Sequence, residues 1–334
     1  MFVPKFWHNS ISGFRWIAYF LLPLTVLWIL GLKVKTFLVV PEKMPIPVVC
    51  VGNITLGGNG KTPSTLKIQK LLQKSGYSVH ILSKGYRGSA RGPILIDPHI
   101  HTFAEVGDEP LMMSHYAPTW ISKNRRLGIK SAHAAGADIV IMDDGFQNNS
   151  IEKDLSIVVV DTFTAFGNEL ILPAGPLREP IKSGLERADF LITIGTKADK
   201  KRFHLNYGNF KLPLSVNASF IPQKENINLV KKKVVAIAGI GHPKKFFASL
   251  EKLGAIIVYA KAFPNHQPFH LKALKKLISL SHKERALLIT TEKDFVRLPQ
   301  ALRPLFTVFK VEILFEDEAL LMKTITQRLG FTKN

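Results

Sequence analysis

The stretch PVVCVGNITLGGNGKT, residues 47–62, decides how the rest of the chain is read. Its first part, Pro47 to Val51, is an apolar run of the length of a buried strand. Its second part carries Gly57, Gly58, Asn59, Gly60, Lys61 and Thr62, and a helical pattern follows from Thr65. A strand, a glycine-rich turn and a helix together make a phosphate cradle. Glycines let backbone N–H groups turn toward an anion, and the helix N-terminus adds the positive end of its dipole. In such a cradle Lys61 reaches the β- and γ-phosphates of ATP and the Thr62 hydroxyl holds Mg²⁺. The strict pattern has glycine five residues before Gly60. Thr55 stands there instead and is counted with the phosphate-binding candidates.

Downstream, apolar runs at residues 79–82, 138–142, 156–161 and 190–194 alternate with helical patterns at 64–74, 108–116 and 127–135. Strands separated by helices predict right-handed crossovers and a mostly parallel sheet covered on both faces. Its ligands belong outside the carboxyl ends of the strands. A second set of strands is expected at 234–238, 256–260, 286–290 and 306–311, with helices at 246–253, 271–280 and 318–329. Between the sets, Leu214, Val216, Ala218 and Phe220 alternate with polar residues and read as an extended connector. The expected fold is therefore α/β: a P-loop NTPase-like core over residues 36–211, a linker over 212–230, and a smaller α/β domain over 231–334. Residues 1–35 form a separate N-terminal segment.

That segment contains WIAYFLLPLTVLWILGL, residues 16–32, which carries no charge. Its length is at the bottom of the spanning range, and Pro23 in its middle would kink or break a helix. Trp16, Tyr19 and Trp28 suit a lipid–water interface. A helix lying in one leaflet, peripheral or monotopic, fits better than a full span. The chain has 45 basic and 25 acidic residues, a net charge of +20. That surplus reads as attraction to anionic lipid, since no nucleic-acid recognition motif appears. Apolar content of 46% excludes a disordered chain. A single cysteine, Cys50, excludes an internal disulfide framework and points to a reducing compartment.

Several residues carry possible chemistry. The run Ile139 to Met142 ends in Asp143-Asp144-Gly145-Phe146-Gln147. A carboxylate at the end of a strand beside a phosphate loop holds Mg²⁺, and Asp143 is the metal candidate. Asp108 sits in VGDEP and His266 in FPNHQPF. An Asp–His pair can act as a general base on a hydroxyl, although Asp108 also reads as a helix cap and His266 as a surface-loop residue. The loop Ser83-Lys84-Gly85-Tyr86-Arg87-Gly88 is basic and lies on the expected ligand side. The proline-rich stretch Pro173 to Pro180 presents Arg178 to a phosphate. Arg125 is a similar candidate.

Taken together, VGNITLGGNGKTP (51–63), SKGYRG (83–88), VGDEP (106–110), MDDGFQ (142–147), LPAGPLREP (172–180), FPNHQPF (263–269) and TTEKDFVRL (290–298) resemble the tetraacyldisaccharide 4′-kinase family, the lipid A 4′-kinases of Gram-negative bacteria. The resemblance implies transfer of the γ-phosphoryl group of ATP, with Mg²⁺, to the 4′-hydroxyl of an acylated glucosamine disaccharide 1-phosphate. It implies that Asp108, His266, Asp144 and Arg178 are catalytic, and that Ser83, Tyr86, Arg87, Arg125 and Gln147 face the lipid substrate. It implies a monomer on the cytoplasmic face of the inner membrane. Two positions depart from the family pattern: Asn265 replaces the usual Asp before the histidine, and Asn148-Asn149 replace the usual His-Arg. Two other readings stand beside it. A membrane-associated regulatory ATPase shares GGxGKT but carries lysine where this chain has Leu56. A P-loop nucleic-acid enzyme rests on charge alone.

Overall fold

The computed structural model describes residues 4–7, 15–223 and 227–330. Parts of the expected N-terminal segment (1–3 and 8–14) and the final four residues lie outside the described residues. At the centre is β1 (Val48–Gly52). In chain order follow β2 (Val79–Ser83), β3 (Ile94–Leu95), β4 (Thr119–Ile121), β5 (Ile139–Asp143), β6 (Leu155–Asp161), β7 (Phe190–Ile194) and β8 (Leu214–Pro222). Then come β9 (Lys233–Ala238), β10 (Ile256–Ala262), β11 (Leu287–Thr291), β12 (Thr307–Phe309) and β13 (Val311–Phe315).

Nine strands form one sheet in the order β13-β8-β7-β6-β1-β5-β2-β4-β3. Its pairs are parallel except at the two edges, where β3–β4 and β8–β13 are antiparallel. β1 pairs with β5 on one side and β6 on the other, so the strand order reverses at it. That switch point is where an open α/β sheet leaves a crevice for ligand. Because side chains alternate along a strand, β1 feeds both cores. Val48 and Cys50 pack with Val140, Met142, Val158 and Leu191 on one face. Val49 and Val51 pack on the other with Ile68 and Leu72 of the helix Lys61–Lys74.

The second sheet, β10-β9-β11-β12, is entirely parallel. The helix Pro243–Lys252 covers one face through Phe246 and Leu250, and the helix Leu271–Glu284 covers the other through Leu274 and Leu277.

Two features differ from the sequence expectation. The stretch expected as a connector over 212–230 contains β8, a strand of the large sheet, parallel to β7. Its alternation is real, with Val216 and Ala218 turned into the core. The expected last strand at 306–311 is two strands on different sheets: β12 closes the small sheet, and β13 crosses back to pair with β8, Val311 opposite Pro222. The terminal helix Glu318–Arg328 follows it and buries Leu321 and Ile325 against the large sheet. The division expected at residue 231 therefore leaves β13 and this helix on the wrong side. The smaller lobe runs from about β9 to β12, inserted between two neighbouring strands of the larger.

The N-terminal run forms two helices, Arg15–Phe20 and Leu22–Leu38, separated at Leu21 just before Pro23. Among the described residues no helix is long and apolar enough to cross a membrane. The second helix is not part of a core. Leu24, Leu27, Leu30, Phe37 and Leu38 are all exposed, Phe37 at 89%.

Candidate active site

The phosphate loop joins β1 to the helix Lys61–Lys74, as its sequence requires. Gly57 and Gly60 have φ of 130° and 85°, values that favour glycine. A Cβ on Gly60 would also stand 2.5 Å from Ile194 Cδ1. Gly60 caps the helix, so Lys61 and Thr62 are its first two residues. Thr55 and Asn59 are buried and bonded to each other, Asn59 Nδ2 donating to Thr55 Oγ1 at 2.5 Å. They brace the loop rather than present free groups. Asn53 was not anticipated: its side chain is 1% exposed, and neither its amide oxygen nor its amide nitrogen has a partner.

Asp143 ends β5 and Asp144 begins the turn after it, with φ of 53°. The left-handed turn takes Asp144 out of the alternation that would send adjacent strand side chains to opposite faces, so that Lys61 acts on both carboxylates. Asp143 is 2% exposed, and its Oδ1 accepts from Thr65 at 3.0 Å. Burial, with Glu109 and Asp144 nearby, pushes its carboxyl up to about 7. For Asp144 burial acts in the same direction, but Lys61 and Arg178 outweigh it and bring the carboxyl down to about 2. Lys61 Nζ lies 3.8 Å from Asp144 Oδ1. Arg178 clamps the same carboxylate through both terminal nitrogens, at 2.8 and 3.1 Å. Arg178 also donates to Gln147 Oε1 at 2.9 Å, and Gln147 Nε2 donates to the Asn53 carbonyl and to Glu179. Gln147 is thus a hub between two loops.

Asp108 opens the short helix Asp108–Met113 in the larger lobe, and His266 belongs to the smaller. The fold brings them together: His266 Nδ1 lies 2.9 Å from both carboxylate oxygens of a buried Asp108. Lys293, which the motif TTEKDFVRL contains but residue-by-residue reading missed, lies 3.3 Å from His266 Nε2. It also donates to Glu109 Oε1 at 2.9 Å. An ammonium only donates, so Nε2 is the accepting nitrogen and Nδ1–H donates to Asp108. Arg297 stands 3.8 Å from Asp108 and is held by Asp294 and the Gly239 carbonyl. Burial opposes ionisation of Asp108. The His266 bond, Lys293 and Arg297 outweigh it and hold the carboxyl below its ordinary value.

Tyr86 meets His266 edge-on at 5.4 Å, and Arg87 donates to the Asn265 carbonyl at 3.3 Å. Those two candidates therefore border the Asp–His pair. Ser83 is buried at the end of β2. Arg125, expected to face substrate, is 4% exposed and donates to the Ser122 carbonyl. Burial disfavours its charge, while Asp143 and Asp144 support it.

The oxygen donors of Thr62 and Asp143 suit Mg²⁺, which keeps most of its waters and takes few protein ligands. No cluster of three or more His, Cys, Asp or Glu side chains that could hold a metal ion occurs among the described residues. A buried carboxylate whose charge is disfavoured in the bare protein also fits a position for a cation.

Comparison with known proteins gives a consistent result. The family model for tetraacyldisaccharide-1-P 4′-kinase (LpxK) matches residues 17–330. A tetraacyldisaccharide 4′-kinase of Dinoroseobacter shibae is 40% identical over 319 residues, 95% of each chain. One of Rhodospirillum rubrum is 42% identical over 333 residues, 98% of each. Among solved structures, LpxK from Aquifex aeolicus in complex with ATP superposes with a TM-score of 0.74 at 25% identity, covering 94% of this chain and 99% of that one.

Proposed function

Since the chain belongs to the tetraacyldisaccharide-1-P 4′-kinase family, we propose a division of labour among its residues for that reaction. The chain is an ATP-dependent kinase of lipid A biosynthesis, acting on the 4′-hydroxyl of the acylated disaccharide precursor. The observation that carries the assignment of roles is the Asp108–His266 bond, made across two lobes at the open end of the large sheet.

Gly57 to Thr62 hold the phosphates of ATP, with Lys61 on the β- and γ-groups. Thr62 and Asp143 would hold Mg²⁺, which would supply charge neutralisation at those groups. Asp108 fixes the His266 tautomer so that Nε2 carries the lone pair. The acceptor hydroxyl takes the place at Nε2 that the Lys293 ammonium fills in the bare protein, and Lys293 keeps its bond to Glu109. His266 accepts its proton as the oxygen bonds to the γ-phosphorus and ADP departs with the electrons of the broken P–O bond. Phosphoryl transfer asks mainly for positioning and charge stabilisation, which Lys61 and Arg178 supply.

The exposed apolar helix Leu22–Leu38 supports seating in a lipid leaflet. An acylated substrate and cytosolic ATP meet on the inner face of the inner membrane, and a monomer contains every group named. The test is incubation with labelled ATP, Mg²⁺ and a tetraacylated disaccharide 1-phosphate. A 1,4′-bisphosphorylated lipid is the expected product, and its absence with folded protein overturns the reading.

A further inference from the structure

The helix Leu22–Leu38 has its polarity reversed relative to an ordinary surface helix. Its outward side is largely apolar, and three of its polar groups turn toward the protein. Among its described side chains Thr25 alone is buried. Thr25, Trp28 and Thr36 share the inward side, being spaced by three and eight residues. Each makes a bond there. Thr25 Oγ1 donates to the Ile171 carbonyl at 3.1 Å, Trp28 Nε1 donates to the Arg178 carbonyl at 3.2 Å, and Asn149 Nδ2 donates to Thr36 Oγ1 at 2.9 Å.

The first two bonds end on the loop that carries Arg178, and Arg178 is a three-way junction. Its carbonyl accepts from Trp28. Its backbone N–H donates to the Ile54 carbonyl, at the root of the phosphate loop, at 2.8 Å. Its guanidinium clamps Asp144. The loop is tied to the phosphate loop a second time, by Leu56 N–H to the Pro176 carbonyl at 2.7 Å. The Arg178 Nε is buried without a partner, so the side chain is held only at its tip and through its backbone.

We propose that Trp28 and Thr25 are positioning residues for phosphoryl transfer: they transmit the seating of the N-terminal helix to the Arg178 guanidinium. The inference rests on the kinase reading above. It goes beyond anchoring, because a helix that served only to hold lipid would have no use for bonds to the peptide group of an active-site arginine. Displacing the helix from the protein surface shifts the carbonyl of residue 178 and, one residue's length away, the clamp on Asp144.

The test uses full-length protein and phosphatidylethanolamine–phosphatidylglycerol vesicles carrying the acylated disaccharide 1-phosphate. Trp28→Phe keeps an aromatic ring and removes the donor; Thr25→Val removes the other bond with little change in shape. Each is expected to lower kcat about three- to tenfold, the range of one lost hydrogen bond. Vesicle co-sedimentation should stay within about twofold, as an aromatic ring remains at position 28 and the exposed leucines and Phe37 are untouched, and the KM for ATP should stay within the same range, as neither residue belongs to the phosphate loop. In an Arg178→Lys background the same substitutions should cost little more, because both act through one side chain. Wild-type kcat in both single variants overturns the proposal. So does a full additional loss in the Arg178→Lys background, which would mean a general structural role. Loss of vesicle binding with kcat preserved would reduce the two residues to anchors. If the wild-type protein forms no bisphosphorylated lipid, the kinase reading fails instead.

Discussion

Asp143 and Asp144 are neighbours in sequence, and their carboxyls are shifted in opposite directions. The alternation of side chains along a strand predicts that they cannot share a direction, and the φ of 53° at Asp144 resolves this by leaving the strand one residue early. Their environments then push them apart: Asp143 rises to about 7 and Asp144 falls to about 2. The sign for stability follows. From an ordinary value of 3.8, a carboxyl raised to about 7 keeps in the folded state a proton that the unfolded chain has lost. Its contribution is present below the ordinary value and is lost as pH rises through the folded one, at up to about 1.4 kcal/mol per pH unit. In buffer without Mg²⁺, the melting temperature of the wild type should fall between about pH 5 and 8 relative to Asp143→Asn, and Mg²⁺ with ATP should restore it at the upper end. Equal pH profiles for the two proteins would count against a buried, disfavoured charge. Asp144 has the opposite sign, stabilising above its ordinary range and weakening only in strong acid.

The Asp108–His266 pair is tested by coupling. Asp108→Ala and His266→Ala should each reduce turnover about 10²- to 10⁴-fold, the usual scale of general acid–base catalysis. The double variant should be little worse than the poorer single one, because each residue works through the other. Steady-state rates at saturating ATP decide this, and multiplicative losses would separate the two roles. The motifs made both residues visible in the sequence, but not their contact. The contact depends on two lobes meeting. Lys293 and Arg297 were hidden for the same reason: in sequence they are two charges four residues apart, and only the packed structure puts them against His266 and Asp108.

At the scale of elements, legibility followed how local the cause was. The phosphate loop was readable because its glycines, its helix start and the preceding strand all lie within residues 47–74. Lys61→Ala should abolish most phosphoryl transfer while leaving circular dichroism unchanged, since Lys61 touches only the Asp144 carboxylate among the described ion pairs. β8 was readable as extended but not as a sheet member, because its partners are β7, twenty-odd residues before it, and β13, about ninety after. No local pattern encodes a partner that far away. The N-terminal helix gives the opposite case: its composition announced it, and the structure leaves the apolar side uncovered. Phe37→Glu with Leu38→Glu should release the protein from anionic vesicles and move the melting temperature by no more than about 2 °C, because exposed substitutions rarely change stability by more than about half a kcal/mol. A large loss of stability would return that helix to the interior.

At the scale of the whole molecule, the smaller lobe leaves the larger one at Pro222 and returns at Val311, residues paired across β8 and β13. The lobes also touch at the tip of the phosphate loop, where a Cβ on Gly241 would lie 3.4 Å from Gly58 N. Lys245 reaches across to Asp161 at 2.6 Å. Replacing residues 223–310 by a tight turn should leave a folded core, since both edges of the cut are already hydrogen-bonded neighbours. That core should bind ATP, as read by calorimetry, and form no bisphosphorylated lipid, because His266 and Lys293 go with the excised piece. An insoluble product would mean that the larger lobe depends on its insert.

The double attachment also sets a local concentration. Two free proteins, one bearing the acid and one the imidazole, would have to find each other at whatever abundance the cell maintains. Tied at both ends to adjacent strands, the histidine meets its carboxylate at an effective concentration on the order of millimolar or higher, however dilute the protein. Per-molecule turnover should therefore stay flat as the enzyme is diluted on its vesicles.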